Sequence, residues 1–232
     1  MHSLPFIEDF EKKSREVRRY CLFLKGVESH AIQLSLGGAF VEQTKIRNLD
    51  TDLETTLKGA VFLLLYNLVE STLRDGIQYI YDVLKNNQVP FDHLNQSFQS
   101  TIIKVIKTMA EKDLGLSQWK NGISLDIVYL VCQQEINFSG NLDSKKIREM
   151  LANYGLTIDQ GNQKARGGKD LREIKDARKL LAHGHSSFSE KGRAYSADDL
   201  LEMQKRVDKY LKGVLIKIDE YVSKKEYLKD RA

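Results

Sequence analysis

The chain has 232 residues, of which 41% are hydrophobic and 29% charged, with a net charge of +4. That is the composition of an ordinary globular protein able to bury a sizeable core, and the charge is too small to identify a nucleic-acid binder by itself. Cys21 and Cys132 lie far apart in apolar surroundings without metal-type or redox-type spacing, and the longest apolar run, Ala60 to Tyr66, is too short to cross a bilayer. No leader-like basic and apolar segment opens the chain, so a cytoplasmic location is expected and no membrane partner.

With only two prolines, Pro5 and Pro90, long helices are favoured over a many-stranded fold. Phe6, Phe10, Val17, Cys21 and Leu24 recur at helical steps and predict an amphipathic helix over about residues 5 to 25. Gly37-Gly38 interrupts the segment beyond this helix. Thr51, Asp52, Leu53 and Glu54 have the form of a capping box, from which a long central helix runs to about Leu84 with Leu53, Leu57, Val61, Leu64, Leu68, Ile77, Ile80 and Leu84 on a wide apolar face.

Beyond Val89-Pro90, the positions Leu94, Phe98, Ile102, Val105 and Met109 predict another helix. Leu125 to Cys132 is a β-branched apolar run that periodicity cannot assign to helix or strand. Asp143 caps the next helix, and Gly155 closes it where a left-handed residue is wanted. Thr157 to Gly168 reads as a polar loop. A helix over Lys169 to His183 then stops at Gly184, a Ser/Gly/charged turn comes after it, and Ser196 with Asp199 starts a long, one-sided C-terminal helix. The expected architecture is all-α: one helical domain over residues 1–232, with long central and C-terminal helices and a less regular middle insertion.

Charge is concentrated between Lys164 and Lys179, where seven basic residues face three acidic ones, an excess equal to that of the whole chain. This segment is either a solvated helix face with pairs such as Glu173 near Lys169 or a surface for a polyanion. Its helix ends on Arg178, Lys179, His183, Gly184 and His185. A histidine in the last turn before a glycine cap sits where the chain leaves the helix and where the negative end of the dipole favours a protonated imidazole. Arg178 and His183 can equally be ordinary complements of that dipole. Five residues turn the helix by about 500°, so the two side chains project about 140° apart and do not share one face. Cooperation on one phosphate therefore requires a distorted helix end or a second copy of the chain.

On the central helix Asn67, Glu70 and Arg74 form a polar strip at steps of three and four. It is read either as an internal Glu70–Arg74 ion pair or as support for the helix carrying Arg178. His2, His30 and His93 are isolated, His183 and His185 lack a spaced carboxylate or cysteine, and Gly167-Gly168 lacks the phosphate-loop spacing. Neither a metal nor another cofactor is expected.

The strings "LLLYNLVESTLRD" (residues 63–75), "NLDSKKIREMLANYGL" (141–156) and "EIKDARKLLAHGH" (173–185) together resemble the HEPN superfamily, and within it the MAE-type branch of HEPN-like nucleases, over about a third of the chain. The resemblance implies a helical bundle acting as a metal-independent endoribonuclease. It further implies a homodimer in which two Arg/His motifs face one cleft, and a role as a toxin or antiviral effector with RNA as substrate and an antitoxin or defence-system protein as partner. Arg178 matches the family arginine and His183 the family histidine. Lys179 replaces the small polar residue common after that arginine, and His185 stands where toxins controlled by nucleotidyltransferases carry a tyrosine, so control by tyrosine modification is not expected there.

The residue types suit this chemistry. Histidine exchanges protons near neutral pH, whereas the guanidinium stays charged and matches phosphate oxygens. His183 is accordingly expected as general acid or base and Arg178 as the phosphate-holding cation. Asn67, Glu70, Lys179 and His185 are expected to support the site or bind substrate. The competing expectation is a noncatalytic helical module that binds nucleotide or protein.

Overall fold

The computed structural model describes residues 5–36, 45–111, 140–158 and 167–229. In order these form α1 (Pro5–Glu28), β1 (Leu34–Leu36), β2 (Lys45–Arg47), α2 (Thr51–Asn86), a 3₁₀ turn (Phe91–His93), α3 (Gln96–Glu111), α4 (Ser144–Ala152), α5 (Gly167–Ala182), α6 (Phe188–Arg193) and α7 (Ala197–Ser223). The fold is all-α, with one small antiparallel hairpin among the described residues, in which Leu34 pairs with Arg47, Ser35 with Ile46 and Leu36 with Lys45. The hairpin has no counterpart among the predicted elements, because strands of three residues are too short to display alternation. The ambiguous run at residues 125–132 lies outside the described residues.

The chain divides into two compact units, Met1–Val69 with Lys169–Lys209 and Glu70–Gly168 with Tyr210–Ala232. In the first, α1 buries Phe6, Phe10, Val17, Cys21 and Leu24 along one stripe, the face that their spacing selects. Burial pushes the Cys21 thiol up to about 12, so it packs as a small apolar group. Tyr20 donates to the Leu57 carbonyl at 3.0 Å, tying α1 to α2, and Ser14 donates to Asp208 at 2.5 Å, tying α1 to α7. The buried Lys58 ammonium lies between Glu28 and Glu54, and Glu28 also accepts the Ala197 amide at 2.8 Å. A buried cation is tolerated because both carboxylates offset its lost hydration.

Two expectations for α2 are corrected. Its start is capped by Asp50, which accepts the Leu53 amide at 2.8 Å, in place of the Thr51/Glu54 box. Aspartate outranks threonine as a cap, and Glu54 is drawn to Lys58. Leu53, expected on the apolar face, is exposed, while Phe62, Leu65, Tyr66, Val69 and Leu73 are buried in addition to Val61 and Leu68. The middle of α2 is thus enclosed well beyond a single stripe, as befits a central helix.

In the second unit Asn95 organises the start of α3. Its side-chain oxygen accepts the Phe98 amide at 2.9 Å, and its amide nitrogen donates to the carbonyls of Tyr154 (3.1 Å) and Glu226 (3.0 Å). Tyr81, Phe98 and Tyr154 meet edge-on or tilted around it, with centroids 5.0 to 5.8 Å apart. Asp143 caps α4 through the Lys146 amide at 2.9 Å, and Gly155 ends it at φ +81°, both as the sequence predicts. Among the described residues no helix is long and apolar enough to cross a membrane.

Candidate functional site

Helix α5 carries the arginine and leads to both histidines. It begins at Gly167, two residues before the predicted start, and buries Leu171, Ile174, Ala177 and Leu181. Asp170, buried in its first turn, takes two hydrogen bonds from Arg206 of α7, at 2.6 and 3.1 Å. This forked pair fixes how α5 lies on α7. Glu173 accepts the Tyr195 hydroxyl, whose proton is held by burial first and by that carboxylate second.

The end of α5 explains where the histidines go. Gly184 sits at φ +68°, the His185 amide donates to the Leu180 carbonyl at 2.9 Å, and the Gly184 amide donates to the Leu181 carbonyl at 3.2 Å. This pair of reversed bonds satisfies the last carbonyls and turns the chain sharply. His183 and His185 therefore flank the turn, both exposed, with ring centroids 6.1 Å apart and planes inclined at 40°.

The chain leaves this turn straight into α6, where the sequence predicts a turn without a helix. Ser187 and Glu190 form a reciprocal cap at its start. The helix packs so closely on α2 that a Cβ at Gly59 would lie 2.1 Å from the Phe188 carbonyl oxygen, and one at Gly192 1.8 Å from that of Thr55. Glycines at both positions let the backbones touch, and the Thr55 and Ser189 hydroxyls meet at 2.7 Å beside them. The segment bearing the histidines is thus held at both ends, by the cap on α5 and by the α6–α2 seam.

Arg178 is half-buried, and its Cζ lies over the ring of Tyr66 from α2, 5.2 Å from the centroid. One turn earlier on α2, Phe62 is covered in the same manner by the Lys191 ammonium at 4.8 Å. Successive rings on one face of α2 each carry a cation. Lys179 is exposed, and Arg172, Lys175, Lys179 and His183 fall at steps of three and four along one face of α5. Asp176 lies within that face, 3.9 Å from Arg172 and 3.4 Å from Lys175.

Of the expected site residues, His183 and His185 are brought together, while Arg178 stands higher on the helix and meets an aromatic ring. Asn67 is exposed in the first unit, next to Tyr66 in sequence; Glu70 is half-buried and belongs to the second unit. Sequence reasoning missed Tyr66. It is embedded in an apolar run, and nothing local marks a ring that meets a cation from a remote segment.

The chain matches the model of the MAE_28990-like HEPN family over residues 5–227. No curated protein and no solved structure matches it. The match spans the central helix, the Arg178–His185 segment and both long terminal helices, and the all-α architecture agrees with it: the chain belongs to the MAE-type branch of the HEPN superfamily.

Proposed function

We propose that the protein is a metal-independent endoribonuclease that acts as a toxin or antiviral defence effector, its active site assembled from two copies of the Arg178–His183 segment at a homodimer interface. The observation that carries this reading is the end of α5. A left-handed glycine leaves the His183 imidazole exposed at an open helix terminus, on the same helix that holds the Arg178 guanidinium against a ring.

RNA brings its own nucleophile. One His183 removes the 2′-hydroxyl proton, the 2′-oxygen bonds to phosphorus, and the bond to the 5′-oxygen breaks as a second acid, His183 of the other copy, protonates it. The products are a 2′,3′-cyclic phosphate and a 5′-hydroxyl. Arg178 binds the non-bridging oxygens as charge grows on them. Two copies supply the complementary base and acid, since each chain brings one His183, just beyond the end of α5 at Ala182. His185 and Lys179 bind flanking phosphates, and Asn67 of α2 supports the site. An antitoxin or defence-system protein restrains the enzyme in a cytoplasmic setting.

The test is incubation of purified wild type, His183→Ala and Arg178→Ala with mixed RNA in EDTA. Cleavage leaving 2′,3′-cyclic ends in wild type alone, together with a dimer by light scattering, is the expected result. An RNA pool left intact by all three proteins would point instead to a noncatalytic interaction module. Growth arrest by wild type that Arg178→Ala relieves would tie toxicity to the motif.

A further inference from the structure

We infer that Tyr66 is the positioning residue for Arg178: its buried ring offers one face to the guanidinium and holds it ready for phosphate. This rests on the proposed ribonuclease activity. Tyr66 is 1% exposed, so the ring is fixed by its surroundings, and Arg178 covers it from a half-buried position at 5.2 Å, inside the range of about 6 Å over which a ring quadrupole attracts a cation. Partial burial keeps that attraction from being fully screened by water.

The choice of an aromatic support matters chemically. A carboxylate partner would occupy guanidinium N–H donors and cancel the charge that phosphate needs. A ring carries no full charge, so it leaves the guanidinium's positive charge for a substrate phosphate. Holding the long arginine side chain in advance also removes part of the ordering cost of reaching the transition state, where charge grows on the phosphate.

The neighbouring groups keep this arrangement distinct. Glu173, an acidic residue of α5 lying toward its start from Arg178, accepts the Tyr195 hydroxyl. Tyr195 packs edge-on against Phe62 with centroids 5.0 Å apart, and Lys191 covers both of those rings. The second cation of the strip thus has its own aromatic seat, and Tyr66 serves Arg178.

The experiment compares wild type, Tyr66→Phe and Tyr66→Met in cleavage of a single-stranded RNA oligonucleotide, alone and combined with Arg178→Ala. Methionine fills much of the ring's volume without its quadrupole. Tyr66→Met is expected to lower kcat about tenfold with KM little changed, Tyr66→Phe to recover most of that loss, and Tyr66→Met to add nothing once Arg178 is alanine. In parallel, the Arg178 side-chain proton resonances should be displaced upfield by the ring current in wild type and Tyr66→Phe, and return to ordinary values in Tyr66→Met.

Full activity in Tyr66→Met, or a loss that persists undiminished in the Arg178→Ala background, overturns the positioning role while leaving the ribonuclease intact. Absence of cleavage by wild type refutes the ribonuclease reading instead. The resonance positions then decide whether the ring seats the guanidinium, and undisplaced Arg178 signals in wild type overturn the inference even if Tyr66→Met fails to fold.

Discussion

The imidazoles of His183 and His185 lie 6.1 Å apart on either side of Gly184, whose backbone adopts φ +68°. Among the described residues nothing lies within 4 Å of a Cβ built at Gly184, so substitution there meets conformational strain without a clash. Gly184→Ala should cost about 1 kcal/mol, and Gly184→Asn less, because asparagine tolerates the left-handed region. Thermal melts should record a drop of roughly 2–4 °C for the alanine variant. RNA cleavage at a temperature where both proteins are folded should fall further than the melt explains, since relaxing the turn moves both rings.

Two helical glycines should respond with opposite signs. A Cβ at Gly192 would lie 1.8 Å from the Thr55 carbonyl oxygen and 2.6 Å from the Gly59 nitrogen, both backbone atoms that cannot rotate away. Gly192→Ala should destabilise by about 3 kcal/mol or more by forcing α6 off α2. At Gly213, exposed on α7, none of the described residues lies within 4 Å of an added Cβ, and Gly213→Ala should stabilise by up to about 1 kcal/mol. Urea unfolding of the two variants checks both signs.

Acid stability should depend on the caps of α6 and α7. Hydrogen bonds from Ser196 hold the Asp199 carboxyl below its usual range, and the Ser187 amide and neighbouring hydroxyls do the same for Glu190. Groups whose folded values are depressed stabilise above their unfolded values, near 4, and that contribution disappears as pH falls through the folded values. Wild type should therefore lose melting temperature from about pH 5 downward. Asp199→Asn with Glu190→Gln should start lower at pH 7 and fall less steeply, which melts recorded from pH 7 to pH 2.5 would show.

If RNA tracks the basic face of α5, replacing Arg172, Lys175 and Lys179 together by glutamine should flatten the dependence of log K on log salt by about 2 units, near 0.7 for each phosphate contact with a single strand. Fluorescence anisotropy of a labelled oligonucleotide over a salt series measures that slope. An unchanged slope would assign the face to solvent, consistent with Asp176 lying among its cations.

The local part of this molecule is written in its residues. The helix ends at Asp143, Gly155, Gly184 and Ser196 are made by bonds spanning three to five residues, so residue type at one position predicts each of them. The buried stripe of α1 comes from spacing alone. Tertiary structure decided the rest. That Leu53 is exposed, that α6 is a helix pressed on α2, and that Tyr66 lies under Arg178 all depend on which distant segment arrives at each surface. A hydrogen-bonded turn is specified by its immediate neighbours, whereas the face of a ring or the space beside a glycine is set only when remote helices pack, and no period in the chain encodes that meeting.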